Sequence, residues 1–468
     1  MQHAFSAVPA PRGAARRLSQ RLWGRLAGLA LAGVLAIAAA ATTPALALPK
    51  VQKVVSPGGI EAWLMELNDA PLITVRLGFD GGELLDPDGK YGTTAMTAYM
   101  FDEGAGPYDS LELKRRITRI GAGLGASNTK EFFYVSFSTP SAYKGEAFEL
   151  LRLAIAEPRF DADPIARARA QYLNSVEGQM LSPYSIASQT LRRGLYGAKH
   201  PLAVDLASMK RGYQSITVED IKAQRKRLLV REGLKIAVVG NIDAATLAPL
   251  LDKLLGALPA KSDVSPTPEP MQAAAGCALT PMNVPQAVVQ FGSLAPKLTF
   301  RRQIAWTLLN TIMAEGISDG RLNRELREKR GLIYGIGLYH SDFSKFAVFN
   351  GAFGAKLTDV PEALAILRRE LKRMVDEGPT DAEVAAIKPT QVGRTLLGLD
   401  TGAAIANLLL GVQINQQPIT YLDDIGGNIE SVTRQEMWEV AKVMLNPERL
   451  IVSVVGPGEQ GKVCGGTQ

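Results

Sequence analysis

The chain has 468 residues and a formal charge of +6, with 46% hydrophobic and 21% charged residues. This is the composition of a globular protein and excludes disorder of the whole chain. Only 3 His and 2 Cys are present, which excludes Cys-rich disulfide scaffolds and modules that hold several zinc ions with Cys and His.

The N-terminus predicts a secretory signal peptide. Five Arg and no acidic residue precede an apolar run at 26–41, and Ala45-Leu46-Ala47 is a small-x-small cleavage site. The run is shorter than the roughly 20 residues that a membrane span needs. We therefore expect cleavage near Ala47, a periplasmic or secreted protein and no stable membrane anchor; an uncleaved N-terminal anchor is the alternative. Loss of residues 1–47 lowers the charge from +6 to +1, so the basic charge does not indicate nucleic acid as a partner.

An internal repeat organises the rest of the chain. Three pairs of similar segments recur at one offset of 216 residues: 147–152 with 363–368, 215–220 with 431–436, and 234–240 with 450–456. The middle pair has the residues of a helix-opening capping box in both copies, Thr217 with Asp220 and Thr433 with Glu436. A repeat of this length and order predicts two copies of one domain.

The domain boundaries follow from composition. We predict a signal peptide at 1–47, an N-terminal domain at 48–258, a Pro-rich linker at 259–279, a C-terminal domain at 280–460 and a tail at 461–468. Alternating apolar residues at 73–79 predict a half-buried strand, and long helical stretches lie between the strands. The fold class is therefore α+β: two tandem homologous two-layer α/β sandwich domains, mostly antiparallel sheet with helices on one face. Cys277 and Cys464 allow either one disulfide or two free thiols.

Residue patterns for hydrolytic sites are scarce. After signal-peptide loss, His200 and His340 remain, far apart in sequence, and neither H-x-x-E-H nor G-x-S-x-G occurs. The sequence Asp400-Thr401-Gly402 has the residues of an aspartic-protease loop, but it has no second copy. Its surroundings, rich in Ala and Leu, predict a helix–turn–helix instead.

One segment in the second copy can carry chemistry. Residues 320–334 predict an amphipathic helix that ends at Gly331 and continues into a strand. Arg327 and Tyr334 are seven residues apart across that junction, and both can donate hydrogen bonds to a carbonyl oxygen or an oxyanion. A solvated surface helix is the alternative interpretation.

These segments resemble the insulinase/pitrilysin family of zinc metallopeptidases. Within that family, the chain is most similar to the bacterial branch that is like the mitochondrial processing peptidase. The matching parts are Gly81-Gly-Glu-Leu-Leu-Asp-Pro87 with Gly92, Leu195–Pro201, Val239–Asp243 and, most specifically, Arg321–Tyr334. The resemblance implies that Arg327 and Tyr334 reach from the second domain to help hold substrate near a zinc ion. It also implies that Ala126, Ser127, Asn128 and Thr129, which lead into a strand at 132–137, form an edge that docks peptides.

The zinc motif of the family is missing. By the resemblance, the His, Glu and His of H-x-x-E-H fall on Ala95, Ala98 and Tyr99, and the third ligand is at best Glu177. We therefore expect no metal in this chain. The family contains pairs in which one subunit carries H-x-x-E-H and the other carries the Arg and Tyr, and this chain resembles the second kind.

These observations lead to one expected function and two alternatives. We expect the zinc-free subunit of an exported, heterodimeric metalloendopeptidase, with zinc in a homologous H-x-x-E-H partner and peptides as substrates. A non-enzymatic peptide-binding or scaffold homologue is the first alternative, and a stand-alone metallopeptidase with an unusual site is the second. The sequence leaves open whether the protein forms homo- or hetero-oligomers, which partner it has and which peptides it takes.

Overall fold

The computed structural model describes residues 49–261, 269–270, 272, 274–314, 320–458 and 463. The predicted signal peptide and most of the predicted tail, including Cys464, lie outside these residues, as does part of the predicted linker. Cys277 takes part in a disulfide bond. The strand that contains it begins at Gly276, inside the segment predicted as linker.

The first half of the described chain alternates strands with helices. Its strands are β1 (Gln52–Val55), β2 (Glu61–Glu66), β3 (Leu72–Asp80), β4 (Gly104–Ala105), β5 (Tyr108–Asp109), β6 (Gly123–Asn128), β7 (Phe132–Pro140) and β8 (Lys235–Gly240). Its helices are α1 (Thr93–Tyr99), α2 (Ser110–Arg119), α3 (Lys144–Ala156), α4 (Ala162–Met180), α5 (Pro183–Tyr196), α6 (Leu206–Ser215), α7 (Val218–Leu228) and α8 (Ala244–Leu255).

The second half repeats most of this order, but its described residues include no counterpart of β4, β5 or α8. Its strands are β9 (Gly276–Pro281), β10 (Ala287–Ala295), β11 (Ile333–Asp342), β12 (Ala347–Ala355) and β13 (Ile451–Gly456). Its helices are α9 (Phe300–Met313), α10 (Arg321–Asn323), α11 (Val360–Glu377), α12 (Asp381–Leu397), α13 (Gly402–Ile414), α14 (Ile425–Glu430) and α15 (Arg434–Met444), and a π-helical segment, Arg324–Glu328, continues α10. Both predicted capping boxes form, at the starts of α7 and α15.

Each half contains one mixed sheet. The strand order is β1-β2-β8-β3-β7-β6 in the first and β11-β12-β10-β13-β9 in the second. All neighbours are antiparallel except β2 with β8 and β13 with β9. The predicted α+β fold class, two tandem α/β domains with mostly antiparallel sheets, is confirmed. β6 and β11 occupy equivalent free edges of the two sheets.

Strand periodicity builds the core of the first half. Ile73, Val75, Leu77 and Phe79 on β3 are at most 1% exposed and pack with apolar residues of α3 and α8. Burying one such side chain contributes about 1.5–3 kcal/mol. The alternate residues of β3 are buried as well: Thr74 is only 6% exposed. The alternation predicts that β3 is half-buried. The strand is instead largely buried on both faces, because a helix also covers its second face.

That second face is covered by a helix from the other half. α13 lies across β3 and β8, Leu410 packs against Gly78, and Gln413 Nε2 donates to the Ile236 carbonyl at 3.0 Å. Gly78 leaves space for this contact, since a Cβ there would lie 3.2 Å from Leu410 Cδ1. The first sheet is thus covered by its own helices on one face and by α13 on the other.

The exchange is reciprocal. α5, from the first half, lies across β10 and β13 of the second sheet. Gln290 Nε2 donates to the Tyr184 carbonyl at 3.0 Å, and Leu191 and Leu195 pack in one apolar cluster with Ile451. α5 and α13 occupy equivalent places in the repeat, so each half covers the sheet of the other with the same helix.

The segment around Asp400 is the helix–turn–helix that its composition predicts. It joins α12 to α13, which are bent by 116°, and the Thr401 hydroxyl accepts from the Ala404 N–H at 3.1 Å at the start of α13. Among the described residues no single helix has the length and apolarity of a membrane span; α12 and α13 reach both only when counted together.

Candidate functional site

By the resemblance described above, α1 is the helix that would carry the zinc motif, and its first turn is held by specific contacts. α1 follows Gly92, whose φ is +100°, and a Cβ there would lie 2.3 Å from the Tyr213 ring. Asp86 accepts from the Gly92 and Thr94 N–H groups at 2.6 and 2.8 Å. Burial raises the pKa of Asp86 to about 6 although these hydrogen bonds oppose the shift. The Asp86 carboxylate thus accepts hydrogen bonds from N–H groups that have no partner within the helix at its N-terminus.

The zinc-motif positions lie on this helix and carry no ligand set. Ala95 and Ala98 are buried, at 8% and 6% exposure, and Tyr99 is half-buried with its ring 6.2 Å from that of Tyr172. The Tyr172 hydroxyl donates to the Ala95 carbonyl at 3.0 Å. Two methyl groups and a phenol do not fit zinc, which takes Cys, His, Asp or Glu ligands.

Glu177, the third ligand suggested by the resemblance, forms an ion pair with a lysine instead. It is 52% exposed and pairs with Lys210 of α6 at 2.8 Å. Tyr172 of α4 does reach α1, and its ring stacks on Tyr213 with centroids 4.9 Å apart. In the part of the chain that the structure describes, no group of three or more His, Cys, Asp or Glu is placed to hold a metal ion.

A cavity of about 190 Å³ opens beside Gly92. Its charged residues are Glu83, Asp86, Lys130 and Arg192. Glu83 is ion-paired with Lys130, and Asp86 caps α1, so both acids have partners within the protein. Arg192 donates to the Ser188 hydroxyl at 2.9 Å, and burial lowers its pKa. The cavity has equal numbers of acidic and basic side chains.

The structure brings Arg327 and Tyr334 together. Arg327 lies in the π-helical segment, and its Cζ is 4.9 Å from the centre of the Tyr334 ring, a cation–π distance. Tyr334 is 82% exposed. Leu322 and Leu326 are fully buried beneath them, as the predicted amphipathic helix requires. Both side chains are therefore held at the surface on a segment anchored from below.

Arg321, at the start of the same segment, has a structural role. Its side chain is 7% exposed and donates from Nε and Nη2 to both carboxylate oxygens of Glu383, each at 2.7 Å. Glu383 completes a capping box with Thr380 at the start of α12. No local pattern in the sequence indicates this pair, because 62 residues separate its members.

The predicted peptide-docking residues lie at a sheet edge, with one exception. Ala126, Ser127 and Asn128 belong to β6, the edge strand of the first sheet. Thr129 is instead in the turn to β7, where its hydroxyl accepts from the Phe132 N–H at 3.1 Å and its carbonyl from the Glu83 N–H. The strand itself extends further back, to Gly123. The edge is therefore longer and more glycine-rich than the sequence indicates.

Comparison with known proteins agrees with these observations. The model of "Insulinase (Peptidase family M16)" matches residues 64–200, and that of "Peptidase M16 inactive domain" matches residues 215–390. The "Non-peptidase homolog YmxG" of Helicobacter pylori is 21% identical over 84% of this chain and 90% of its own. An "Uncharacterized zinc protease" of Streptomyces coelicolor is 24% identical over 87% of this chain and 90% of its own.

Solved structures show the same fold. A structure of the "peptidase M16 inactive domain from Pseudomonas fluorescens" superposes with a TM-score of 0.81 at 23% identity, over 88% of this chain and 99% of that one. A Helicobacter pylori protease does so with a TM-score of 0.76 at 20% identity, over 88% of this chain and 100% of that one. Together the two family models cover most of the chain outside its N-terminus, and the chain belongs to the insulinase family of peptidases, M16.

Proposed function

We propose that this protein is the zinc-free subunit of a heterodimeric metalloendopeptidase. In this assembly a homologous partner with an intact H-x-x-E-H motif carries the zinc, and this chain supplies Arg327 and Tyr334 to position the peptide. One observation carries the proposal: α1 has no zinc ligand at the motif positions, whereas Arg327 and Tyr334 are packed together on the surface. Donors that act on a developing oxyanion are useful only beside a reacting carbonyl.

The test is co-expression with an H-x-x-E-H homologue and an assay of peptide cleavage by the purified pair. We expect Arg327→Ala to lower kcat/KM by about 100-fold, the effect of removing one donor to an oxyanion. Tyr334→Phe removes only the phenolic hydroxyl, and we expect it to lower kcat/KM as well. Lys329→Ala is the matched control, because it removes a cation from the same turn. Lys329 is 56% exposed and pairs with Glu325, so its loss should have little effect on stability. Full activity of Arg327→Ala in a stable pair would exclude the role.

Export is part of the proposal. The basic, apolar and Ala-x-Ala segments at the N-terminus support a signal peptide cleaved near Ala47, with a periplasmic or secreted product and no membrane anchor. N-terminal sequencing of protein recovered from the periplasmic fraction tests it: a mature chain that begins at Leu48 supports export. A chain that starts at Met1 and sediments with membranes contradicts it.

A second function is a non-enzymatic peptide-binding or scaffold protein. The absence of zinc ligands on α1 and the similarity to a protein named a non-peptidase homologue support it. The two functions differ in one measurement. A scaffold binds peptides but yields no cleavage with any H-x-x-E-H partner, whereas the proposed subunit restores cleavage with its own.

A further inference from the structure

A groove lies between α13 and the open part of the first sheet. It has a volume of about 400 Å³, within the range of pockets that hold small ligands or pieces of larger ones. α13 covers β3 and β8 but leaves β7 and β6 open on this face, and the groove runs from β3 to the free edge. Its lining includes Arg76, Ser127, Tyr134, Ser136, Asn407 and Leu410.

The groove has one charge. Arg76 is the only charged side chain among its described lining residues. Its Nε donates to Asn407 Oδ1 at 2.8 Å, and its Nη1 donates to the Val75 and Phe137 carbonyls at 3.1 and 3.5 Å. Nη2 has no hydrogen-bond partner, and no carboxylate pairs with this guanidinium, among the residues that the structure describes. Burial lowers the pKa of Arg76, although an arginine at this position remains charged. A half-buried cation without a counterion favours an anionic ligand.

Hydroxyl groups continue the polar lining toward the sheet edge. Ser136 lies opposite Arg76 in the β3–β7 pair, and Ser127 lies opposite Tyr134 in the β6–β7 pair. Because side chains alternate between the faces of a sheet, these serines share the face of Arg76. Neither serine hydroxyl is hydrogen-bonded to another described residue. The lining therefore offers hydrogen bonds along a line from β3 to β6.

We propose that this groove binds the free C-terminal carboxylate of a peptide, with Arg76 as its partner. The Nη2 group, which the described residues leave unengaged, can donate charge-assisted hydrogen bonds to a carboxylate, and the serine hydroxyls can pair with the last peptide groups. The inference deepens the proposed function by naming the part of the peptide that is recognised, and it rests on that function for the peptide itself. Asn407, which holds Arg76 Nε, is a positioning residue from the second half.

The geometry favours a chain end over an acidic side chain. A peptide strand paired with the free edge of β6 lies three strand spacings from β3, about 14 Å. Arg76 is held over β3 and the neighbouring β7 by its bonds to the Val75 and Phe137 carbonyls. An acidic side chain on the added strand would have to extend across β6 to reach it. A peptide whose last residues turn into the groove places its terminal carboxylate beside Arg76.

The experiment measures binding to the purified chain alone, by fluorescence anisotropy. The probes are fluorescein-labelled octapeptide pools with neutral random interiors, one ending in a free carboxylate and one in a carboxamide. We expect the free acid to bind at least ten-fold more tightly than the amide. A third pool, with an internal Glu and a carboxamide end, should bind as weakly as the second.

Two variants locate the effect. Arg76→Met should remove the ten-fold preference, whereas Arg192→Met, which removes another half-buried arginine from a separate cavity, should leave it intact. Equal binding of acid and amide by the unaltered chain overturns the proposal without any variant, even if Arg76→Met does not fold. Tight binding of the internal-Glu pool, or a preference that survives Arg76→Met, also overturns it. The zinc-bearing partner is not in the assay, so failure here is distinct from failure of the subunit function.

Discussion

At the residue scale, α1 has no zinc ligand at the three positions where the resemblance places the motif. Ala95 and Ala98 present methyl groups there, and next to them the Tyr172 ring contacts the rings of both Tyr99 and Tyr213. The assignment of the motif to Ala95, Ala98 and Tyr99 stays a prediction, which depends on the register set by Gly92 and the preceding Gly81–Pro87. The tyrosine cluster could not be predicted from sequence, since its members lie on three helices far apart in the chain and no local spacing records their contact.

Gly92 gives a test of this preserved helix start. Gly92 and Gly89 both have positive φ, +100° and +76°, but only Gly92 faces a neighbour, because a Cβ added there would lie 2.3 Å from the Tyr213 ring. We expect Gly89→Ala to destabilise by about 1 kcal/mol, from backbone strain alone. Gly92→Ala should destabilise by about 3 kcal/mol or more, because overpacking adds to that strain. Urea unfolding followed by circular dichroism measures both, and equal losses would contradict the close packing of Tyr213 on Gly92.

At the element scale, the segment with the Arg and Tyr is fixed at both ends. Leu322 and Leu326 bury one face, Arg321 ties its first turn to the start of α12, and Gly331, with φ of +64°, ends it. The sequence predicts a helix that ends at Gly331, because this pattern is local, but it gives only the seven-residue spacing of Arg327 and Tyr334 and not their contact. The π-helical turn and the Arg321–Glu383 pair depend on tertiary contacts and were not predicted.

The Arg321–Glu383 pair predicts a dependence of stability on pH. Burial opposes ionisation of Glu383, but hydrogen bonds from Arg321 and Thr380 outweigh it and lower its pKa from 4.5 to about 2. A lowered pKa in the folded state stabilises above pH 4.5, and this stabilisation is lost as the pH falls toward 2. Since the carboxylate is partly exposed, we expect it to contribute about 1–2 kcal/mol rather than the full linkage value.

The measurement is the free energy of unfolding in urea at pH 7 and pH 3. Arg321→Met should be less stable than the unaltered chain at pH 7, and it should lose about 1–2 kcal/mol less on acidification. Lys372→Met is the control, because its pair with Asp376 is at the surface and more than half exposed on both sides. An identical loss on acidification in Arg321→Met and the unaltered chain would show that the pair does not set the pKa of Glu383.

At the scale of the whole molecule, one face of each sheet is covered by a helix from the other half. The offset of 216 residues predicts the duplication correctly, because similar segments preserve their order. It does not predict the exchange of α5 and α13. The sequence of α13 is apolar along most of its length, which indicates burial, but a helical pattern does not record which sheet the helix is buried against.

The exchange predicts that the two halves unfold together. Differential scanning calorimetry should show one transition for the chain, because loss of either half uncovers the sheet of the other. Leu410→Ala, at a site only 5% exposed, should lower that single transition, with a loss of about 2–5 kcal/mol. Leu397→Ala, at 80% exposure on the neighbouring helix, should leave it unchanged. Two separate transitions, or a shift confined to one of them, would contradict the exchange.

The reciprocal helices also bear on biosynthesis. When β8 leaves the ribosome at Gly240, all strands of the first sheet have been made, but the helix that covers its second face begins only at Gly402. At about 5–20 residues per second, that gap lasts on the order of 10–30 s. During this interval the helices of the first half can cover Leu77, but α13, which covers Gly78 on the other face, has not yet been made. A holding chaperone that keeps this face from aggregating therefore has a window set by the length of chain between Gly240 and Gly402.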